Sequence, residues 1–387
     1  MNNKKHKILE DFGSQEITNE LKDQLNKIAI SKGLKLHPFF ENNLFFSHRD
    51  LDVIINHYNN RKPFYLYTGR GPSSESLHIG HLVPFVMTKY LQDLFDVPVI
   101  IQITDDEKFY NAENVKEDNS KPTLEYYQKI AEENIKDIIS IGFNKDKTYI
   151  IQNTKDIGLL YQTIVKINKV INLNQIQNVF GSALSDNLGK VSFPVNQIAP
   201  SFPQTFLELF DKNINIEDIR VLIPCAIDQD PYFRLTRDVS SKLNYNKPSL
   251  IHSGFFPSLF GVEHKMSSST KDTNSVIFIN ETQKQVKDKI NKYAFSGGKD
   301  TLKEHRELGG DIDVDICCQY LQYLLDDKPR YETIINGYRT GNLLSGELKK
   351  ITIDIINQIL GQYQERRAKI TRNDFLEFTT KKMLAFY

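Results

Sequence analysis

Residues 64–85 read FYLYTGRGPSSESLHIGHLVPF, and this stretch decides the fold. Its first five residues are apolar and aromatic, the composition of a buried strand. Gly69 and Gly71 flank Arg70, and Pro72, Ser73 and Ser74 follow, so the chain turns there. A helix is expected to begin near Ser76 and to run through His78, Ile79, Gly80 and His81. The two histidines then share one helical face in the first turn. Gly80 leaves the backbone between them open to a flat ligand. Helix starts attract anions, so imidazoles and backbone N–H groups at this place suit a polyphosphate. The stretch is not the Walker phosphate loop, because no Gly-Lys-Ser/Thr follows. Nor is it the dinucleotide fingerprint, whose third glycine is missing.

Alone, two such histidines are most simply surface residues. A second stretch changes that weighting. Residues 264–269 read HKMSSS. Lys265 there brings a cation on a serine-rich loop, and Ser267, Ser268 and Ser269 bring small hydroxyl and backbone donors. Strands alternate with helices along the chain, which indicates a parallel sheet with its ligands at the carboxyl ends of the strands. Residues 98–104 (PVIIQIT) and 221–227 (VLIPCAI) read as further strands, with shorter ones at 149–151 and 250–252. Asp105, Asp106, Glu107 and Lys108 follow the first of these, and Asp228, Gln229 and Asp230 follow the second. Gln102 is a polar residue inside an apolar strand, so it points into a site or a satisfied network.

Elsewhere the pattern is less specific. Residues 16–31 have helical character, and Ser47 to Asp50 look like a helix cap leading into a short helix to 58. Residues 111–121 read as a polar, mobile loop. Residues 124–141 read as a helix ending at Gly142, a C′ glycine. Residues 161–173 and 175–180 read as helix, and 193–202 as a proline-interrupted segment. Beyond Glu281 the pattern is helical nearly throughout, and Thr371 with Asp374 has capping-box spacing.

Composition bounds the rest. The 387 residues imply roughly two or three domains. No run of about 18 apolar residues is present, so no membrane span is expected. The first residues, MNNKKHKILEDFGS, hold no apolar segment of signal-peptide shape. Three cysteines, of which only Cys317 and Cys318 are adjacent, give neither a disulfide framework nor zinc spacing. A reducing cytoplasm is therefore expected. Net charge is zero, so any nucleic-acid footprint must be a local patch. Tryptophan is absent, against 18 Tyr and 24 Phe.

The order and separation of His78-Ile79-Gly80-His81 and Lys265-Met266-Ser267-Ser268-Ser269 resemble the two motifs of class I aminoacyl-tRNA synthetases. YTGRGPSSESLHIGHLVPF, QITDDEK, PVNQIAPSF and AIDQDPYFR are similar to the eukaryotic and archaeal tryptophanyl type, from about residue 12 to the C-terminus. The resemblance implies an α/β fold: a Rossmann-like catalytic domain at 61–269, with a connective insertion at about 111–220. It implies a helical anticodon-binding domain at 270–367, a segment returning to the catalytic domain at 368–387, and an N-terminal extension, 1–60, packing on the catalytic domain.

It further implies activation of L-tryptophan with ATP, then transfer to tRNA(Trp). His78, His81, Lys265, Ser267 and Ser268 would act in catalysis. Gly69, Arg70, Gly71, Gly80, Met266 and Ser269 would join them in holding ATP. Mg²⁺ would arrive on the ATP phosphates, with no protein cage. Tyr67 and Gln102 match the residues that meet the indole N–H, which needs an acceptor. Glu107, Gln197 and Gln229 match those that meet the ammonium, and Lys108 is placed for the carboxylate. Phe193, Pro200 and Cys225 are either apolar pocket wall or core. Lys349, Lys350, Arg366, Arg367, Lys369, Arg372, Lys381 and Lys382 are candidate tRNA phosphate contacts. Family members are homodimers, so a dimer is expected, without membrane or DNA partners. A tyrosyl enzyme, a catalytically silent paralogue acting as an RNA-binding or signalling module, and a small-molecule nucleotidyltransferase with the same first motif are the rival readings.

Overall fold

The computed structural model describes residues 9–112, 122–266 and 273–387, with the backbone alone for 262–265. In chain order the strands are β1 (Gln15–Glu16), β2 (Phe45–Arg49), β3 (Phe64–Arg70), β4 (Val99–Ile103), β5 (Thr148–Gln152), β6 (Arg220–Ala226) and β7 (Ser249–Ser253). They form one sheet in the order β1-β2-β7-β6-β3-β4-β5. The five strands β3 to β7 pair in parallel, whereas β2 pairs antiparallel with β7 and β1 antiparallel with β2. The chain builds outward from β3 to β4 and β5 on one side, then to β6 and β7 on the other. The strand order reverses at β3, and a crevice opens there at the carboxyl ends of the strands.

The two-residue period of β3 explains its place at the centre. Phe64 and Leu66 enter the apolar layer on one face, and Tyr65 and Tyr67 the layer on the other. All four are at most 2% exposed, so both faces are covered. The helices Ile79–Phe95 and Leu124–Ser140 cover one face, while Asn153–Val170 and Asp230–Leu243 cover the other.

The C-terminal third is helical. Gln283–Tyr293, Leu302–Leu308, Ile316–Leu324, Lys328–Arg339 and Ser345–Ala368 pack on one another and on the sheet domain. Thr282 with Gln285, Thr301 with Glu304 and Thr371 with Asp374 form capping boxes. The end of the chain returns to the sheet domain: Leu384 N–H donates to Leu209 O (2.7 Å), and Tyr387 OH to Lys62 O (2.9 Å).

Several boundaries differ from the sequence expectation. The short helix expected after Asp50 is present at Leu51–Asn59, and its first N–H bonds His48 Nδ1 (3.2 Å), but residues 45–49 before it form a strand and Asp50 caps nothing with its side chain. The strand carries Ser47, His48 and Arg49 because polar partners on distant segments satisfy them. Ser47 Oγ bonds His252 Nδ1 (2.8 Å), and Arg49 is bidentate to Asp230. The histidine helix starts at Ile79 with His78 as its N-cap, later than Ser76. The segment around Pro194 is continuous helix over Leu188–Ile198, followed by a 3₁₀ turn. Most of the polar loop expected at 111–121 lies outside the described residues.

Candidate active site

A cavity of about 370 Å³ lies at the carboxyl ends of β3, β4, β6 and β7. Two ends can be distinguished in it, one at the start of the Ile79–Phe95 helix and one between Gln102, Glu107 and Gln229.

At the first end His78 and His81 stack with ring centroids 3.4 Å apart and 20° between planes. Their side chains cap the helix. His81 N–H donates to His78 Nδ1 (3.2 Å), and His78 N–H reaches His81 Nδ1 (3.4 Å). Each Nδ1 is therefore an acceptor, which places the proton of the neutral ring on Nε2 as a donor. The helix start is stitched to the segment before the helical domain: Ile79 N–H donates to Ile277 O (3.0 Å), and Ile279 N–H to Leu77 O (2.9 Å). Gly80 N–H faces Met266 Sδ at 3.3 Å. A Cβ at Gly80 would lie 3.1 Å from the His78 ring, so the close packing of this corner depends on glycine. Pro84, one turn on, has no N–H to give to the Gly80 carbonyl.

Gly69, Arg70 and Gly71 close β3 at the cavity wall. Arg70 donates to Ser73 Oγ (3.0 Å) and reaches Asn134 Oδ1 at 3.4 Å. Burial lowers its guanidinium to about 10, opposed by Glu107 and Asp137, so it stays charged at neutral pH. A Cβ on Gly71 would meet Glu107 Oε2 at 2.3 Å.

At the second end Tyr67 OH lies 2.6 Å from Gln102 Oε1 and 2.7 Å from Gln197 O. Burial pushes the Tyr67 phenol well above its ordinary value, so it remains a neutral hydroxyl. Glu107 Oε1 and Lys108 Nζ form an ion pair at 2.9 Å, and Thr104 Oγ1 reaches Glu107 Oε2 at 3.3 Å. Gln197 Nε2 donates to Gln229 Oε1 (3.2 Å).

The structure thus brings Tyr67, Gln102, Glu107, Lys108, Gln197 and Gln229 to one cavity with His78, His81 and Met266. Lys265 ends the strand β9 (Gly261–Lys265), its backbone paired with Pro257 in the strand β8 (Pro257–Ser258). Ser267, Ser268 and Ser269 lie outside the described residues. Of the three apolar candidates, Cys225 lines the cavity. Phe193 is buried against Tyr232, and Pro200 accepts a bond from Tyr65 OH (2.7 Å), so both belong to the surrounding core. The sequence reading missed Phe233, whose ring stands 6.2 Å from that of Tyr67, and Tyr232 beside it. The word AIDQDPYFR, which already contained Gln229, was the available signal for both.

Among the described residues no three His, Cys, Asp or Glu side chains form a group that could hold a metal ion.

A switch-point sheet with paired histidines at a helix start, and Met266 set against the glycine between them, defines a class of enzyme. The chain belongs to the class I tRNA synthetases (W and Y), whose family model matches residues 59–361. It is 46% identical to the cytoplasmic tryptophan–tRNA ligase of Oryctolagus cuniculus over 98% of this chain and 78% of that one. The tryptophanyl-tRNA synthetase of Plasmodium falciparum superposes with a TM-score of 0.86 at 45% identity, covering 96% and 94% of the two chains. That of Encephalitozoon cuniculi, solved bound to tryptophan, gives 0.83 at 37% identity over 97% and 99%.

Proposed function

We propose that the protein is a tryptophan–tRNA ligase that joins L-tryptophan to AMP from ATP, releases pyrophosphate, and passes the tryptophanyl group to tRNA(Trp). The observation that carries this reading is the charge pair Glu107–Lys108 beside the acceptors Gln102 and Tyr67. An amino acid is a zwitterion, and a carboxylate next to an ammonium complements it: Glu107 takes the ammonium, Lys108 the carboxylate. Gln197 and Gln229 add amide oxygens near the ammonium. The indole N–H is a donor only, and Tyr67 and Gln102 offer oxygens to it.

In the first step a carboxylate oxygen attacks the α-phosphorus in line, forming the mixed anhydride as the bond to the pyrophosphate oxygen breaks. The enzyme positions the groups and neutralises charge growing on phosphate oxygens. His78 and His81 donate to those oxygens through Nε2, and Arg70 adds a fixed positive charge. Gly69, Gly71 and Gly80 let the nucleotide approach the backbone. Lys265, Ser267, Ser268 and Ser269, with Met266 between them, would meet the phosphates. Mg²⁺ would come bound to ATP. In the second step a terminal hydroxyl of the tRNA attacks the anhydride carbonyl and AMP leaves.

For the tRNA, Lys350, Lys369 and Arg372 are exposed and remain candidate phosphate contacts. Arg367 is engaged inside the molecule by Asp137 and Glu133, Arg366 by Ser140 O, and Lys381 by Glu208. A homodimer is supported by an apolar strip on the helices 153–170 and 173–180, where Tyr161, Val165 and Leu173 are 61%, 50% and 45% exposed. Among the described residues no helix is long and apolar enough to cross a membrane. The cytoplasm is the compartment we propose, because similar curated proteins are named cytoplasmic tryptophan–tRNA ligases.

The test is ATP–pyrophosphate exchange with tryptophan and tyrosine side by side. Exchange that requires tryptophan and ignores tyrosine supports the reading. Exchange with tyrosine alone would transfer the pocket to a phenol.

A further inference from the structure

A primary amide presents oxygen at one end and N–H at the other, and only the oxygen suits an indole N–H. The orientation of Gln102 is therefore a specificity question. We propose that Asp106 is a positioning residue which, through Asn153 and Asn196, fixes the oxygen of the Gln102 amide toward the indole pocket. The proposal rests on the tryptophan reading above and deepens it.

The argument is one of donors and acceptors. Asp106 is 6% exposed and three donors face it: Glu107 N–H (3.0 Å) and Asn153 Nδ2 (2.8 Å) at Oδ1, and Asn196 Nδ2 (3.2 Å) at Oδ2. The backbone donor cannot invert, and an ionised carboxylate only accepts. Asn153, 1% exposed, must turn its amide nitrogen to Asp106, which turns its oxygen to Gln102 Nε2 at 2.8 Å. The carbonyl of Asn196, an acceptor that also cannot invert, takes a second bond from Gln102 Nε2 at 3.0 Å. Both amide protons of Gln102 are thereby used. Its Oε1 faces the Tyr67 hydroxyl and the cavity. Tyr67 has one proton and two acceptors in reach, so giving it to Gln197 O leaves Gln102 Oε1 to the indole. An inverted amide would set N–H against N–H. Three segments converge to prevent this: the helix after β4, the start of the helix after β5, and the Leu188–Ile198 helix.

The charge can be moved along the relay. Asp106→Ala removes the acceptor that gives it direction, whereas Asp106→Asn keeps an oxygen where the Glu107 N–H holds it and should keep the direction. Adding Asn153→Asp to Asp106→Ala sets a group that only accepts against Gln102 Nε2 and restores the direction. The experiment titrates each protein with tryptophan and with its benzothiophene analogue, which keeps the shape and lacks the N–H. The Michaelis constants for tryptophan and ATP are measured on the same samples, and thermal unfolding reports folding. Asp106→Ala is expected to weaken tryptophan binding about tenfold, the loss of one buried hydrogen bond. The analogue and the KM for ATP should change less than about twofold, within the scatter of a neutral contact. The double substitution is expected to recover the wild-type preference for tryptophan over the analogue. Equal weakening of both ligands by Asp106→Ala, or no recovery in a folded double variant, would overturn the proposal. If Asp106→Ala alone does not fold, the double variant carries the test by the same preference ratio. Wild-type protein that binds neither ligand would instead bring down the tryptophan reading itself, an outcome visible before any variant is made.

Discussion

Gly71 sits where β3 leaves the sheet, and the atoms a Cβ would strike are the tip of Glu107 and the Lys108 side chain, not backbone. A flexible side chain can move aside, so Gly71→Ala should fold with a stability change within about 1 kcal/mol. The carboxylate it displaces is the one assigned to the substrate ammonium. The KM for tryptophan is therefore expected to rise tenfold or more, about 1.4 kcal/mol, with the KM for ATP little changed. Steady-state exchange kinetics read this directly.

A second group at this scale is Asp230, fully buried between Arg49 (2.9 Å) and His252 (3.1 Å). Burial alone would raise its carboxyl, but bonds from His252 and Arg49 outweigh that and hold it at about 2. Burial lowers the His252 imidazole, which stays neutral. Its Nδ1 accepts from Ser47, and its Nε2–H faces Asp230. Both folded pKa values lie below their unfolded ones, so the unfolded chain takes each proton first. Stability is full above the unfolded values and is lost as pH falls, first below about 6.5 for His252, then from about 4 toward 2 for Asp230. Urea unfolding at a series of pH values should show both phases, the first absent in His252→Asn. Arg49→Met removes the bidentate cation of a buried carboxylate, leaves it only the half-exposed Arg234 at 3.3 Å, and should cost about 3 kcal/mol.

At the level of elements, the Ser345–Ala368 helix meets the start of the histidine helix by two arms. Arg367 bonds Asp137, which accepts from Leu77 N–H (2.9 Å) just before His78. Gln364 donates to Ile279 O (2.8 Å), and Ile279 N–H in turn bonds Leu77 O. Arg367→Met should therefore raise the KM for ATP several-fold in exchange assays without tRNA. Its stability cost should be only about 1 kcal/mol, because Arg367 is a third exposed and solvent screens its pairs. None of this was legible in the sequence, where Arg367 is one basic residue in a helix. The strand β2 was hidden for the same reason. Its polar residues make sense only once Asp230 and His252 stand beside them, about two hundred positions away. What could be read was local. The period-two apolar run of β3, the glycines at its end and the paired histidines carry their meaning within a single stretch. So do Gln102 and Glu107, next to the strand end that positions them. Asn153 and Asn196 carry none alone, since only the fold makes them partners of Asp106.

For the whole molecule, the sheet switch point gathers the residues proposed to hold tryptophan and ATP, and the apolar strip on the helices 153–170 and 173–180 remains exposed on a single chain. Tyr161 and Val165 lie one helical turn apart on it. Tyr161→Glu with Val165→Glu should leave the fold intact and shift sedimentation from dimer to monomer; a wild-type monomer would remove the dimer from the account. The central claim, a pocket built for tryptophan, has a direct test because the protein contains no tryptophan of its own. Indole emission excited near 295 nm then comes from the ligand alone. Titrating protein into tryptophan should shift that emission saturably, with tyrosine unable to compete and the shift deepening when ATP is added. An emission spectrum unchanged in the presence of folded protein, with or without ATP, would contradict it.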